Sequence, residues 1–203
     1  MAGDYQQRGF RVLRGGLIAP LRESLKQVAA PLLDRARAGN WRETDGESEG
    51  STGWYGHKPV DTVMEFLAPM IAHASGGGAL WPTFSYLRLY PRGTKLTPHT
   101  DRDSCEVAIT AAVDGSDATP WPILIEAGDG SVESVDLAPG DILVYAGRER
   151  RHWREPLDGD WRLQVMFFYV RQAGPFARWK YDTRPALGTP PPGSHPDIGE
   201  AVP

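Results

Sequence analysis

His99-Thr100-Asp101 sets an imidazole and a carboxylate two residues apart. In an extended segment, side chains at i and i+2 point to one face, so His99 and Asp101 can reach a common point. Fifty-one residues beyond Asp101 stands His152, after the apolar run Asp141–Ala146 and a short basic turn. Two imidazoles and one carboxylate on one side of a metal leave the other positions open. That set suits non-haem Fe(II) in enzymes that use O2. An H-x-D triplet alone also describes a solvated turn, so the residues around it must decide.

Arg162, ten residues after His152, opens the run Arg162-Leu-Gln-Val-Met-Phe-Phe-Tyr-Val170. A strand this apolar is expected to be buried, and a buried guanidinium calls for an anion. Guanidinium pairs bidentately with carboxylate. 2-Oxoglutarate has a carboxylate to spare once its other end chelates a metal. The competing reading makes Arg162 a strand-end residue facing water beside Asp160. In Phe84–Tyr90, Leu87 and Leu89 share one face, and Tyr86, Arg88 and Tyr90 share the other, a polar-aromatic face fit for a lumen. Tyr90 is a candidate donor to a 2-oxoglutarate carboxylate. Arg88 either holds an anionic substrate group or pairs with a carboxylate such as Glu106. In the run 105–113, Cys105, Val107, Ile109, Ala111 and Val113 alternate with Glu106, Ala108, Thr110 and Ala112. Thr110 offers a hydroxyl to the same ligand, or is a satisfied core residue. Candidate substrate contacts are Tyr86, Arg88, Trp54 and Tyr55, with Trp121 and His57 behind them. Arg148, Arg150 and Arg151 either steer anions to the site or form a solvated basic turn.

These residues need a scaffold. Residues 17–38 place Leu21, Leu25, Val28, Leu32 and Leu33 on one helical face, with Pro31 as a kink or a restart. Residues 40–58 alternate acidic with Gly and Ser positions and read as a long surface loop, either a lid or a disordered acidic insertion. Asp61 is placed to cap a helix from Thr62 to about His73. From Thr83 the period becomes two, predicting strands at 83–90, 105–113, 121–126, 132–136, 141–146 and 162–170, separated by Gly, Pro and Asp turns. Many short strands after helices predict a mainly β double-sheet jelly roll braced by N-terminal helices. One domain is expected: an N-terminal helical and loop region, 1–82, packs on a β core, 83–183. A Pro-rich tail, 184–203, reads as extended or disordered. The 203 residues carry a net charge of −4, which gives no support for a nucleic-acid or membrane-surface partner. No stretch is apolar enough for a membrane span. The single Cys105 excludes an internal disulfide, which makes a cytoplasmic location the default expectation.

Residues 84–170 resemble the Fe(II)/2-oxoglutarate-dependent dioxygenase superfamily, particularly its small prolyl-hydroxylase-like members. The matching pieces are Tyr90-Pro91-Arg92-Gly93 before His99-Thr-Asp101, Leu137-Ala-Pro-Gly-Asp141-Ile-Leu-Val before His152, and Arg162 ten positions later. The resemblance implies a double-stranded β-helix, cupin-like, with His99, Asp101 and His152 as iron ligands. It also implies Arg162 as the 2-oxoglutarate anchor and Tyr90 as a second contact. Fe(II) would be the metal, with 2-oxoglutarate and O2 as cosubstrates and succinate and CO2 as products. The carboxylate of the triplet is retained, unlike in the halogenase branch. The resemblance does not extend to the first 80 residues, where substrate specificity is usually shaped, so three readings stand. They are a hydroxylase of a small molecule such as an amino acid or specialised metabolite, a hydroxylase of peptide side chains, and a non-catalytic cupin-like metal-binding or sensor module.

Overall fold

The structure is a computed structural model and describes residues 3–38 and 50–189. Three helices, α1 (Gly3–Arg8), α2 (Ala19–Arg37) and α3 (Lys58–Ala74), accompany ten strands. The strands are β1 (Phe10–Leu13), β2 (Thr52–Tyr55), β3 (Leu80–Pro91), β4 (Leu96–His99), β5 (Val107–Gly115), β6 (Ile123–Glu126), β7 (Val132–Val135), β8 (Ile142–Tyr145), β9 (His152–Arg154) and β10 (Trp161–Arg171). They form a larger sheet ordered β1-β8-β5-β10-β3-β2 and a smaller one ordered β4-β9-β6-β7. All pairings are antiparallel. The expected jelly roll is present.

β10 lies between β3 and β5 and is covered on both faces, with Leu163, Val165 and Phe167 in the core under the helices and Met166 and Phe168 between the sheets. One face of the larger sheet presents Leu87, Leu89, Ile109, Ala111, Val165 and Phe167 to a core completed by Leu25, Ala29 and Leu32 of α2 and by Val60, Met64, Leu67 and Ile71 of α3. The other face presents Phe84, Ala108, Ala112, Leu143 and Phe168 toward Ile123, Ile125 and Val135 of the smaller sheet. The alternation in β5 therefore separates a bulky core face from a small face that lines the space between the sheets. Cys105 sits in a 3-10 turn (Asp103–Cys105) before β5 rather than in its core row.

Several boundaries differ from expectation. The expected loop over 40–58 ends in a strand: β2 pairs with β3, with Trp54 opposite Leu87 and Tyr55 opposite Tyr86. The acidic part of that segment, up to residue 49, lies outside the described residues. β1 pairs with β8, so the N-terminal region supplies strands to the larger sheet as well as helices. α3 begins at Lys58 with His57 at its N-cap, and Asp61 does not cap it. Asp61 is instead buried, accepting from Ser85 Oγ (2.6 Å), Gly188 N (2.8 Å) and Arg184 Nη1 (3.1 Å). Arg184 also donates to the carbonyl of Thr83 (2.8 Å), so the start of the expected tail is fastened to the core. No helix among the described residues is long and apolar enough to cross a membrane.

Candidate metal centre

β4 and β9 pair so that His99 and His152 lie directly opposite each other, their rings 4.4 Å apart. β4 ends at His99, and the Asp101 N–H donates to the carbonyl of Gly147 (2.8 Å), holding the carboxylate beside both rings. His99 Nε2 is 3.5 Å and His152 Nε2 3.7 Å from Asp101 Oδ1. The ligand atoms of all three residues lie within 4.8 Å of one another. Each Nδ1 is held by a backbone carbonyl, that of Thr97 for His99 (2.7 Å) and that of Arg150 for His152 (3.0 Å). With the proton on Nδ1, both Nε2 lone pairs point to the same place, the orientation that backbone acceptors give metal-bound histidines. Burial lowers the His152 pKa, against the pull of Asp101, and so favours the neutral imidazole that ligates metals.

Asp101 Oδ2 is buried and has no hydrogen-bond partner. A buried carboxylate with one oxygen near two imidazole nitrogens and the other without a donor suits a cation. Gly147 makes the room: a Cβ there would stand 2.3 Å from Asp101 Oδ2 and 2.5 Å from the carbonyl of Cys105. Two nitrogen donors and one oxygen donor on one side match a transition metal with open positions.

A cavity of about 610 Å³ opens from the three residues. Tyr55, Phe84, Tyr86, Arg88, Tyr90 and Phe168 line it. Phe84 stacks on Tyr55 (4.9 Å) and on Phe168 (4.4 Å), giving one wall of flat rings. The Arg88 guanidinium lies 4.2 Å over the Tyr86 ring. Its suggested partner Glu106 accepts instead from the Arg171 N–H (2.8 Å). The Tyr55 hydroxyl donates to Asp182, which also pairs with Arg102 (2.7 Å), so the segment after β10 ties two cavity-lining residues together.

Other expected residues lie elsewhere. Trp54 points into the core on the far side of the larger sheet and stacks on His57 (4.7 Å), so neither contacts the cavity. Residue type and a loop reading had suggested Trp54; a strand fixes alternate faces, and only Tyr55 looks inward. Trp121 is buried behind Tyr90 (5.0 Å), its Nε1 donating to the carbonyl of Glu155 (2.7 Å). Thr110 donates to Gln164 (3.4 Å), consistent with a satisfied core hydroxyl. Arg148, Arg150 and Arg151 each meet a carboxylate, from Asp103, Glu149 and Glu126.

Arg162 is buried directly opposite the cavity-lining Tyr90 in the β3–β10 ladder and does not itself line the cavity. It donates to the carbonyls of Asp117 and Thr119. Arg154 was not anticipated. It is buried two residues past His152, lies 4.6 Å over the Trp121 ring, and donates to the Trp121 carbonyl. Loss of water pushes its pKa down to about 10. Its spacing from His152 was a usable signal, hidden within a run of surface arginines.

No protein-family model and no curated protein matches this sequence. Solved structures do match. AviO1 from Streptomyces viridochromogenes Tue57 superposes with a TM-score of 0.69 at 21% identity, over 86% of this chain and 95% of that one. The epimerase SnoN, in complex with Fe3+, α-ketoglutarate (2-oxoglutarate) and nogalamycin RO, gives 0.66 at 15%, over 94% and 91%. A prolyl hydroxylase from Trichoplax adhaerens, in complex with a hypoxia-inducible-factor peptide fragment, gives 0.64 at 14%, over 84% and 87%. The chain has the fold of these proteins.

Proposed function

We propose that this chain is an Fe(II)- and 2-oxoglutarate-dependent dioxygenase that oxidises a C–H bond of a small molecule. The donor set carries the most weight. Two imidazoles with fixed tautomers flank a carboxylate whose second oxygen is buried without a donor. His99, Asp101 and His152 would hold the iron, and Arg162 would take the distal carboxylate of 2-oxoglutarate. When bound, the metal and cosubstrate supply oxidation by O2, with release of succinate and CO2.

The chain's own residues bind, orient and exclude. His152 enters as a neutral ligand because it is buried. The Tyr55–Phe84–Phe168 wall gives an apolar, ring-bearing substrate a flat surface to lie on, and Tyr86 with Arg88 supplies the polar edge. Holding one C–H bond near the metal, and others away, is the placement such chemistry requires. A cavity of about 610 Å³ is of the size that encloses small ligands. This favours a small molecule over a peptide.

Purified protein is incubated with Fe(II), 2-oxoglutarate, O2 and pooled amino acids and metabolites. The expected result is succinate release together with a product one oxygen atom heavier, both lost when iron or 2-oxoglutarate is omitted. Product from peptides alone would replace the small-molecule reading. Metal binding with no succinate from any pool would make the protein a metal-binding module.

A further inference from the structure

We propose that Arg154 is a second anchor for the distal carboxylate of the 2-oxo acid, acting beside Arg162; the inference rests on the cosubstrate reading above. β9 is extended from His152 to Arg154, so the two side chains leave the strand on the same face, toward the space between the sheets. Arg154 and Arg162 are 5% and 7% exposed. Arg154 lies 4.6 Å over the Trp121 ring, and Trp121 packs 5.0 Å from Tyr90, the residue opposite Arg162 in the ladder. Neither arginine forms an ion pair with any carboxylate among the described residues. Both lean on one loop: Arg154 Nη1 on the carbonyl of Trp121, Arg162 on those of Asp117 and Thr119. Arg154 Nη2 and Arg162 Nε remain buried with no acceptor.

Two buried like charges with two unused N–H donors form a costly arrangement in the absence of an anion. A single carboxylate resolves it, because its two oxygens can serve two guanidiniums at once. Tyr90 gives this corner access to the ligand space: it lines the cavity, lies against Trp121, and faces Arg162 across the ladder. A purely structural Arg154 would need only the Trp121 carbonyl and ring.

The test uses protein loaded with Mn(II) under anaerobic conditions, titrated calorimetrically with 2-oxoglutarate and with 2-oxopentanoate, the same 2-oxo acid without the distal carboxylate. Arg154→Gln is expected to weaken 2-oxoglutarate binding by about tenfold or more and to leave 2-oxopentanoate within about twofold. Arg154→Lys, which keeps the buried charge but loses the fork, is expected to fall between wild type and Arg154→Gln for 2-oxoglutarate. Arg162→Gln should show the same ligand dependence as Arg154→Gln, and more strongly. Equal weakening of both ligands by Arg154→Gln, or no weakening of either, overturns the proposal and leaves Arg154 as a prop for Trp121. Wild-type protein that binds 2-oxoglutarate no better than 2-oxopentanoate would instead overturn the cosubstrate reading, a failure visible before any variant is made.

Discussion

Asp101 is fixed by its backbone as much as by its neighbours. Its N–H is bonded to Gly147, and its Oδ2 occupies space that exists because residue 147 has no side chain. Gly147→Ala should therefore displace the carboxylate or the Cys105 carbonyl. We expect divalent-metal affinity to fall by about tenfold or more, since coordination tolerates only small errors in ligand position. Titration with Mn(II) alongside circular dichroism checks this, and unchanged affinity in a folded variant would refute the role given to Gly147. Asp101→Asn keeps the shape and removes the charge, and should weaken the same titration further. The sequence shows these ligands because H-x-D on an extended segment has a readable geometry. It does not show Gly147, whose importance comes from a contact across 46 positions.

At the level of elements, the long, strongly alternating strands β3, β5 and β10 were legible, as was the apolar face of α2. Short ones were not. β9 has three residues in a basic stretch, too few to display a period that would set Arg154 apart. β2 was hidden by the acidic Gly/Ser composition before it, which suggested a loop and misplaced Trp54. Asp61 looked like a cap because caps are local, whereas its partner Arg184 is 123 positions away. That pair has side chains 1% and 0% exposed, so Arg184→Leu leaves a buried carboxylate uncompensated. We expect a loss of about 3–5 kcal/mol in urea unfolding, and a smaller loss when Asp61→Leu is combined with it. Strictly additive losses would mean that the two residues act independently.

Across the whole molecule, Asp141 fastens the N-terminal part to the β core. Burial raises its pKa, but donation from Gly15 N (2.9 Å), Arg14 (2.6 Å) and Ala138 N (3.0 Å) outweighs that and holds the carboxyl below the usual range. A folded pKa below the unfolded value of about 3.9 gives stability that is present above that value and lost as pH falls through the folded one. Stability should thus decline below about pH 4, and Asp141→Asn should flatten that part of the acid-unfolding curve while lowering stability at neutral pH. An identical acid limb in the variant would rule Asp141 out as a contributor.

Tyr181, Asp182 and Thr183 follow one another at φ of 56°, 54° and 64°, a left-handed run without glycine, held by the docking of Arg184. Such backbone costs on the order of 1–3 kcal/mol per residue and persists only where its surroundings impose it. The run brings Asp182 to Tyr55 and Arg102. A chain halted after Arg171 would already contain His99, Asp101, His152, Arg154 and Arg162, but not the residue that braces the cavity wall. Order of synthesis thus follows the order of the site: the residues proposed to hold metal and cosubstrate leave the ribosome first, and the piece that braces the cavity wall arrives last. Changes to the few residues after β10 would therefore reach the cavity wall through Tyr55 and Arg102 rather than through the His99–Asp101–His152 cluster.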